Sequence, residues 1–255
     1  MIFFQTIAVA LSLYSAIPMP QFDWNGRNMR YAMAAFPLVG VLCGGAVFLW
    51  AWLCSVLEFG PVLTAAGLCL VPVLVSGGIH LDGFCDTTDA LASHASREKK
   101  LEILKDSHAG AFAVIGVCCY LLFFAAVCTE LPTQPGILLL YALIFVFSRA
   151  ASGLAVASFP CAKNSGLVHA FADGAAKRQV RAILIGLLVL LSAALVALNP
   201  LTGGLMVLAA VVVFGCYYAM SMRIFGGITG DLAGWFLQLC ELFMTLALVT
   251  GLKLG

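Results

Sequence analysis

Charged residues are the first thing that this sequence has little of. Asp, Glu, Lys and Arg make up 10% of its 255 residues, against roughly a quarter of an average soluble domain. Hydrophobic residues account for 63% of the chain, and the mean hydropathy is +1.07. This composition excludes a water-soluble globular domain and indicates a chain that folds within a lipid bilayer.

Long polar stretches are also lacking, so no soluble domain interrupts the chain. Seven apolar runs are separated by short polar segments, and each is close to the roughly 20 residues that a helix needs to cross hydrocarbon. The runs cover residues 31–57, 62–79, 110–129, 136–159, 182–198, 200–222 and 232–252. They predict an all-α integral membrane protein with about seven transmembrane helices, folded as a single polytopic membrane domain over residues 1–255.

The N-terminal segment lacks the basic residues that open a signal peptide. Residues 1–17 form a mainly apolar segment, but the segment is short and is interrupted by polar residues such as Gln5 and Ser12. We interpret this segment as a short interfacial or re-entrant helix. A full eighth span is the alternative, because about 17 residues is the lower limit for crossing a bilayer.

Paired cysteine motifs are absent as well. The chain has ten cysteines, but no two of them form a Cys-x-x-Cys pair, and eight lie inside the predicted spans. We therefore interpret them as small apolar packing residues rather than as disulfide partners or zinc ligands.

Basic residues are almost missing from one side of the predicted topology. With seven spans, eleven of the thirteen Lys and Arg residues fall in segments on one side, Arg149 lies within a span, and Lys253 lies on the other side. An excess of basic residues beside spans marks the cytoplasmic side. The distribution predicts a multi-pass protein of the cell membrane whose loops 80–108 and 160–181 face the cytoplasm.

The acidic residues of this chain are concentrated in one place. Residues 77–106 hold six of the twelve Asp and Glu residues, and Asp82, Asp86 and Asp89 have the spacing i, i+4 and i+7 that places side chains on one face of a helix. Clustered carboxylates repel one another unless a cation lies among them, and hard oxygen ligands suit Mg²⁺ or Mn²⁺. A solvated loop that needs no ligand is the alternative interpretation.

Glycine and serine residues shape the surroundings of this cluster. Gly77, Gly78 and Gly83 lack side chains and so allow backbone to approach a bulky ligand closely. Ser96 is a candidate N-cap for a second short helix over residues 97–107, which we expect to lie on the membrane surface.

Two ionisable residues fall inside predicted spans. Arg149 and Glu241 are at a similar depth, and an intramembrane charge is tolerated where it faces the bundle interior and finds a partner. We expect them to pair, either to fix the register of two helices or to form the floor of a polar substrate cavity. Asp231, at the start of the last span, is either a helix N-cap or part of a second metal position.

Residues 77–83, with the sequence Gly-Gly-Ile-His-Leu-Asp-Gly, resemble the signature of the cobalamin synthase family, the adenosylcobinamide-GDP ribazoletransferases. The resemblance continues through Asp86, Asp89 and the Lys-Asp-Ser of residues 105–107, and it covers most of the chain. Further matching blocks are residues 36–40, Ser148-Arg149, the Gly166 loop after Lys163, and Gly230-Asp231 with Glu241. Among the departures, His108 stands where the family pattern has Arg.

The resemblance implies an Mg²⁺-dependent membrane transferase. In such an enzyme the hydroxyl of α-ribazole, or of its 5′-phosphate, attacks the cobinamide-linked phosphorus of adenosylcobinamide-GDP, and GMP leaves. Its partners would be these substrates and the lipid bilayer, with no nucleic acid, and a homo-oligomer is compatible with it. The metal ligands that the resemblance suggests are Asp82, Asp86, Asp89 and Asp231. The suggested catalytic residues are His80, which would act as a base, Asp82, Lys105, Asp106, Arg149 and Glu241. The suggested substrate-binding residues are Gly77, Gly78, Gly83, Arg97, Lys163 and Gly166.

Other classes of membrane protein also place aspartates at the cytoplasmic face. CDP-alcohol phosphotransferases require Asp-Gly-x-x-Ala-Arg, whereas Asp82-Gly83 is followed here by Phe84 and Cys85. Membrane prenyltransferases use Asp-x2-Asp-x3-Asp, and this chain has the order Asp-x3-Asp-x2-Asp. A cation transporter is a third alternative, and it predicts acidic residues spread through several spans. In this sequence Glu241 is the one acidic residue that lies deep within a predicted span.

The basic-residue pattern makes a prediction about topology. A reporter fused after Gly60, Leu131 or Asn199 should lie outside the cytoplasm, and a reporter near residue 95 or 170 should lie inside. Paired alkaline phosphatase and fluorescent protein fusions measure this directly. Finding position 95 outside the cytoplasm would overturn the orientation and the site assignment with it.

Overall fold

The computed structural model describes residues 2–20, 30–162 and 176–255, with side chains from residue 4 onward. Most of these residues lie in helices, and the described residues contain no β-strand. The all-α prediction is therefore confirmed. All ten cysteines are free thiols, in agreement with the sequence interpretation.

The helices follow one another through short turns. In chain order they are α1 (Ile2–Tyr14), α2 (Ala32–Ala35), α3 (Pro37–Val56), α4 (Pro61–Val75), α5 (Ile79–Ala92), α6 (Arg97–Ile103), α7 (Ala111–Thr129), α8 (Pro135–Ser158), α9 (Lys177–Leu198), α10 (Pro200–Met220), a π-helical turn (Ser221–Phe225) and α11 (Gly230–Leu254). Among the described residues, six spans are long and apolar enough to cross a membrane, with α2 and α3 counted together and the π-helical turn counted with α10. The bent pair of α4 and α5 would raise this to seven, in agreement with the sequence prediction.

The pair α4 and α5 is bent because two glycines interrupt the predicted span 62–79. The axes of the two helices differ by 94°. Gly77 and Gly78 have φ angles of 65° and 77°, a left-handed backbone conformation that costs glycine little and other residues more. The apolar helix therefore ends at Val75, and the acidic residues lie on α5, which we treat as outside the spanning segments.

The core of the bundle is built from α8 and α11. α8 packs most extensively on α3, and α11 packs on α10, α5 and α8. Small residues permit this close packing: a side chain at Gly40 of α3 would collide with the carbonyl of Phe145 on α8. Many large apolar side chains of α7, α9 and α10 are exposed instead, as expected for helices in contact with lipid.

α1 is a helix of 13 residues and packs on α2 and α3. At about 1.5 Å of rise per residue it is too short to cross hydrocarbon. The backbone N–H of Ala16 donates to the carbonyl of Val75 at 2.8 Å, which ties the end of α1 to the end of α4. The short N-terminal helix predicted from the sequence is thus present, and by its length it does not qualify as the alternative eighth span.

The two ends of the bundle are each marked by a contact between distant segments. At one end Ala176, just before α9, donates its N–H to the carbonyl of Arg30 at 3.2 Å. At the other end Lys253 of α11 pairs with Glu130 after α7 at 2.8 Å. The basic starts of α2 and α9 therefore share one end, as the alternating topology requires.

Candidate active site

The acidic face of α5 is formed by Asp82, Asp86 and Asp89. Asp82 is exposed and the other two are half-buried. None of the three makes a hydrogen bond or ion pair with another residue that the structure describes. Partial burial raises the pKa of Asp86 to about 6, and the carboxylates of Asp82, Asp231 and Asp89 add to the increase. The face is thus an uncompensated cluster of like charges.

Two glycines bring α5 into direct backbone contact with the start of α11. A Cβ atom at Gly83 would lie 2.8 Å from the carbonyl oxygen of Asp231, and one at Gly234 would lie 2.9 Å from the carbonyl oxygen of His80. Gly83 is buried in this contact, so the close approach that it allows is to α11 rather than to a ligand. The contact places Asp231 beside the carboxylates of α5.

Asp231 lies in the first turn of α11, but it is not the N-cap that the sequence left open. Thr229 is the N-cap, because its Oγ1 accepts a hydrogen bond from the N–H of Leu232 at 3.3 Å. The same hydroxyl lies 3.3 Å from Asp231 Oδ2 and can donate to it. The Asp231 carboxylate is therefore held at the positive end of the helix, facing the α5 cluster.

The turn before α11 is fixed by contacts with two other segments. Ile228 donates its N–H to the carbonyl of Pro160, and Ala162 donates to the carbonyl of Ile228, both at 2.9 Å. Gly226 adopts a φ of 72°, and any side chain there would overlap the guanidinium of Arg97. The exposed Arg97 thus lies directly over the turn that leads to Asp231. Lys163 and Gly166, two of the predicted substrate-binding residues, lie outside the described residues.

Asp89 has a different environment from the other two aspartates of α5. A Cβ atom at Gly110 would collide with its carboxylate, so Asp89 lies against the residue that precedes α7. The positive end of α7 stabilises a negative charge in this position. Asp89 is for this reason the least available of the cluster to a cation.

α6 is shorter than the predicted helix 97–107 and ends at Ile103. Ser96 is its N-cap, as predicted, and accepts a hydrogen bond from the N–H of Lys99 at 3.4 Å. Lys105 and Asp106 are exposed beyond its end. Asp106 accepts from the backbone and ring nitrogens of His108 at 3.0 and 2.8 Å, and these bonds lower its pKa.

Lys100 is a residue whose role the sequence analysis missed. The sequence pattern places it on the polar side of α6, but the structure buries it. Its Nζ donates to the carbonyls of Ala90 and Leu91 at 2.6 and 3.2 Å, and it lies 3.4 Å from Ser93 Oγ. A buried cation at these carbonyls caps the C-terminal end of α5 and stabilises the partial negative charge of the helix dipole at that end. Lys100 therefore fixes α6 to the helix that carries the acidic face.

His80 lies on the opposite side of α5 from the solvent. It is 6% exposed and packs against the rings of Tyr14 and Phe36, at centroid distances of 6.2 and 5.7 Å. Its Nε2 has no hydrogen-bond partner in the described part of the chain. Burial, with a smaller contribution from the Arg149 charge, lowers the pKa of His80 to about 3. A histidine held neutral in this way binds a proton weakly, which does not favour the expected role as general base.

A cavity of about 300 Å³ opens beside His80 and Asp82. It is lined by Tyr14, Met33, Phe36, Ile79, His80, Asp82, Ser152, Val156, Gly230, Asp231, Ala233 and Gly234. A second, more open depression of about 590 Å³ is lined by Gly77, Gly78 and Asp82 together with Ile79, Leu81, Cys85 and Val117. Asp82 borders both spaces, so it lies at the centre of the accessible part of the site.

The predicted pair of Arg149 and Glu241 is present and fully buried. Arg149 Nη1 donates to Glu241 Oε1 at 2.6 Å, and the two side chains are 1% and 3% exposed. Ser148 Oγ donates to the same carboxylate oxygen at 2.9 Å, and Arg149 also donates to the carbonyl of Phe145 at 3.0 Å. Neither residue belongs to the lining of the 300 Å³ cavity. Their position favours the alternative in which the pair fixes the register of α8 and α11.

The part of the chain that the structure describes forms no closed protein cage for a metal ion. Within the ranges 2–20, 30–162 and 176–255, no three His, Cys, Asp or Glu side chains come close enough together to hold a metal ion between them. The carboxylates instead approach a common space from α5 on one side and from the start of α11 on the other.

The buried pair predicts a non-additive response to substitution. Arg149→Ala should lower the free energy of unfolding by about 3–5 kcal/mol, because it strands the Glu241 carboxylate in the bundle. The double variant Arg149→Ala with Glu241→Gln should lose less, as measured by unfolding in mixed micelles followed by circular dichroism. Lys253→Ala, which breaks the exposed pair with Glu130, is the control and should change stability by less than about 1 kcal/mol. Strictly additive losses would argue against coupling.

The chain matches known proteins over almost all of its length. The family model described as Cobalamin-5-phosphate synthase matches residues 6–249. An adenosylcobinamide-GDP ribazoletransferase of Lachnoclostridium phytofermentans is 43% identical over 241 residues, 94% of this chain and 92% of that protein. A protein of the same name from Clostridium perfringens strain 13 is 36% identical, over 94% of this chain and 95% of that protein. Another from Listeria monocytogenes is 30% identical, over 96% of this chain and 97% of that protein.

No solved structure matches. The family model and these relatives agree with the resemblance seen in residues 77–89, and they remove the phosphotransferase, prenyltransferase and transporter alternatives. From its helices, its acidic site and these matches, the chain belongs to the cobalamin-5-phosphate synthase family.

Proposed function

We propose that this chain is an Mg²⁺-dependent adenosylcobinamide-GDP ribazoletransferase. The hydroxyl oxygen of α-ribazole, or of its 5′-phosphate, forms a bond to the cobinamide-linked phosphorus. The bond from that phosphorus to the bridging oxygen breaks, GMP leaves with this oxygen, and the hydroxyl proton is released. The names of the relatives support these substrates, which belong to those proteins and are inferred for this one.

The observation that carries this proposal is the pair of uncompensated carboxylates on α5, Asp82 and Asp86, beside the backbone contact with α11. Asp82 and Asp86 of α5 face Asp231 of α11, and no cationic side chain of the described residues pairs with Asp82 or Asp86. Mg²⁺ is commonly bound by one or two carboxylates together with substrate phosphates and water, rather than by an all-protein cage. The open arrangement therefore suits a cation that completes its ligand set from a diphosphate.

The chemistry that Mg²⁺ would supply is neutralisation of charge on the bridging and leaving oxygens of the diphosphate. One or two of Asp82, Asp86 and Asp231 would hold it together with substrate phosphates and water, and Asp89 would contribute more weakly because it faces the start of α7. Arg97 is exposed above the turn before α11 and can donate to phosphate oxygens.

We also propose that this site faces the cytoplasm from the cell membrane. The basic residues at the starts of α2 and α9 support this orientation, because they share one end of the bundle. In the predicted topology, the acidic site lies at the same end of the bundle as these basic residues. Nucleotide-linked substrates of the cytoplasm would then reach it without crossing hydrocarbon.

Replacing single carboxylates by amides tests the proposal. Asp82→Asn and Asp86→Asn should each reduce GMP release by about 100-fold or more, because the amide keeps side-chain size but removes the charge that holds a dication. Asp89→Asn should weaken the apparent Mg²⁺ affinity and recover in part at high Mg²⁺ concentration. The measurement is GMP release by purified protein with both substrates over a Mg²⁺ titration.

Glu98→Gln is the matched control for these substitutions. It makes the same type of change on the exposed surface of α6, and it should keep near-normal turnover. Relief of repulsion makes the aspartate variants neutral or slightly stabilising if the cluster is only a solvated surface. Wild-type turnover with unchanged Mg²⁺ dependence in Asp82→Asn would therefore refute the metal site.

A further inference from the structure

The 300 Å³ cavity beside Asp82 is built from five different helices or their ends. Tyr14 comes from α1, Met33 from α2, His80 from α5, Val156 from α8 and Ala233 from α11. A space enclosed by so many elements is fixed by the fold and not by one loop. Its polar boundary is on one side, where Asp82 and Asp231 line it.

The remainder of the cavity is mostly aromatic and apolar, with Ser152 as a further polar side chain from α8. The rings of Tyr14 and His80 are nearly parallel, with an interplanar angle of 17° and a centroid distance of 6.2 Å, and Phe36 packs at 4.5 Å from Tyr14. His80 is more than nine-tenths buried, and its Nε2 has no partner among the described residues. Flat aromatic groups stack favourably on such surfaces.

The volume limits what the cavity can hold. About 300 Å³ is the lower end of the range for small-molecule sites. A bicyclic aromatic base with part of its sugar is of suitable size, whereas a corrin ring with its side chains is far too large. Among the groups that the two proposed substrates carry, a nucleoside fragment is therefore the one whose size fits.

The lining distinguishes between the two nucleosides. The edge of guanine carries several hydrogen-bond donors and acceptors, and burying them without partners is costly. Asp82 and Asp231 at one side, with Ser152 and His80, offer a few such partners, but the side chains of Met33, Phe36, Val156 and Ala233 offer none. An alkylated or unsubstituted benzimidazole-type base has few polar atoms, so it suits these walls better.

We propose that this cavity binds the aromatic base of α-ribazole, with α1 as one wall of the acceptor site. The ribose then points toward Asp82 and Asp231, where its hydroxyl can meet the phosphorus of the second substrate. This inference rests on the proposed function, because that function supplies the nucleoside.

The test uses one substitution at two positions of the same helix. Ala233→Leu fills the cavity, whereas Ala247→Leu adds the same volume to a separate apolar groove between α10 and α11. Equilibrium dialysis of the full-length protein in detergent gives the Kd for α-ribazole and for GMP, each without the other substrate. Ala233→Leu should raise the Kd for α-ribazole at least about tenfold and leave that for GMP unchanged. Ala247→Leu should change neither.

A second pair of variants keeps the test valid if Ala233→Leu folds poorly. Tyr14→Ala should raise the Kd and the KM for α-ribazole about tenfold through loss of ring contact, and Tyr14→Phe, which keeps the ring, should recover most of the binding. The KM for adenosylcobinamide-GDP should not change. An unchanged Kd for α-ribazole in folded Ala233→Leu and Tyr14→Ala would overturn the inference, and so would a change confined to GMP.

The same experiment separates this inference from the proposed function. If wild-type protein binds α-ribazole and Ala233→Leu does not, the cavity assignment holds even where no GMP is released and the transferase proposal fails. If wild-type protein releases GMP and the cavity variants retain normal binding of α-ribazole, the transferase proposal holds and the cavity assignment fails.

Discussion

The backbone contact between α5 and α11 is the constraint on which the site depends. Gly83 lies against Asp231, and Gly234 lies against His80, so each helix meets the other at a residue without a side chain. A methyl group at either position would separate the two backbones. Because both glycines sit next to acidic or cavity-lining residues, this one contact sets the distance between the α5 carboxylates and Asp231, and it also closes one side of the cavity.

The treatment of charge elsewhere in the molecule makes the acidic face stand out. Arg149 is paired with Glu241 in the bundle, and the buried amine of Lys100 is occupied by carbonyls at the end of α5. These groups are paired or hydrogen-bonded across helices, which holds the helices in place. Asp82 and Asp86 are left without a cationic partner among the described residues. This difference from the paired buried charges is the basis for proposing that the two carboxylates bind a cation.

Much of this arrangement could be predicted from the sequence because it depends on local pattern. The apolar runs predicted the spans, the i, i+4, i+7 spacing predicted one acidic face, and Ser96 predicted the start of α6. The pair of Arg149 and Glu241 could be predicted because a charge in a span needs a partner at the same depth. Each of these inferences used the pattern of a single segment, or compared the depth of two residues in their spans.

Other features depend on contacts between segments that are far apart in sequence, and the sequence could not reveal them. The burial of Lys100 depends on how α6 folds back on α5, and the role of Gly83 depends on the position of α11. Thr229 took the capping position that Asp231 could have filled, since both residue types are suitable there. The cavity is formed by five helices and has no signature in any one of them.

Direct metal binding to a glycine variant tests the central claim, that the contact at Gly83 assembles the metal site. Gly83→Ala removes no ligand, but its Cβ would lie 2.8 Å from the Asp231 carbonyl oxygen, whereas a Cβ at Gly45 meets nothing within 4 Å. Titration with Mn²⁺ as a spectroscopic substitute for Mg²⁺, in the presence of GDP, gives the affinity of each folded variant. The account predicts at least about a tenfold loss of affinity in Gly83→Ala and none in Gly45→Ala. Equal affinities in wild-type protein and folded Gly83→Ala would contradict it.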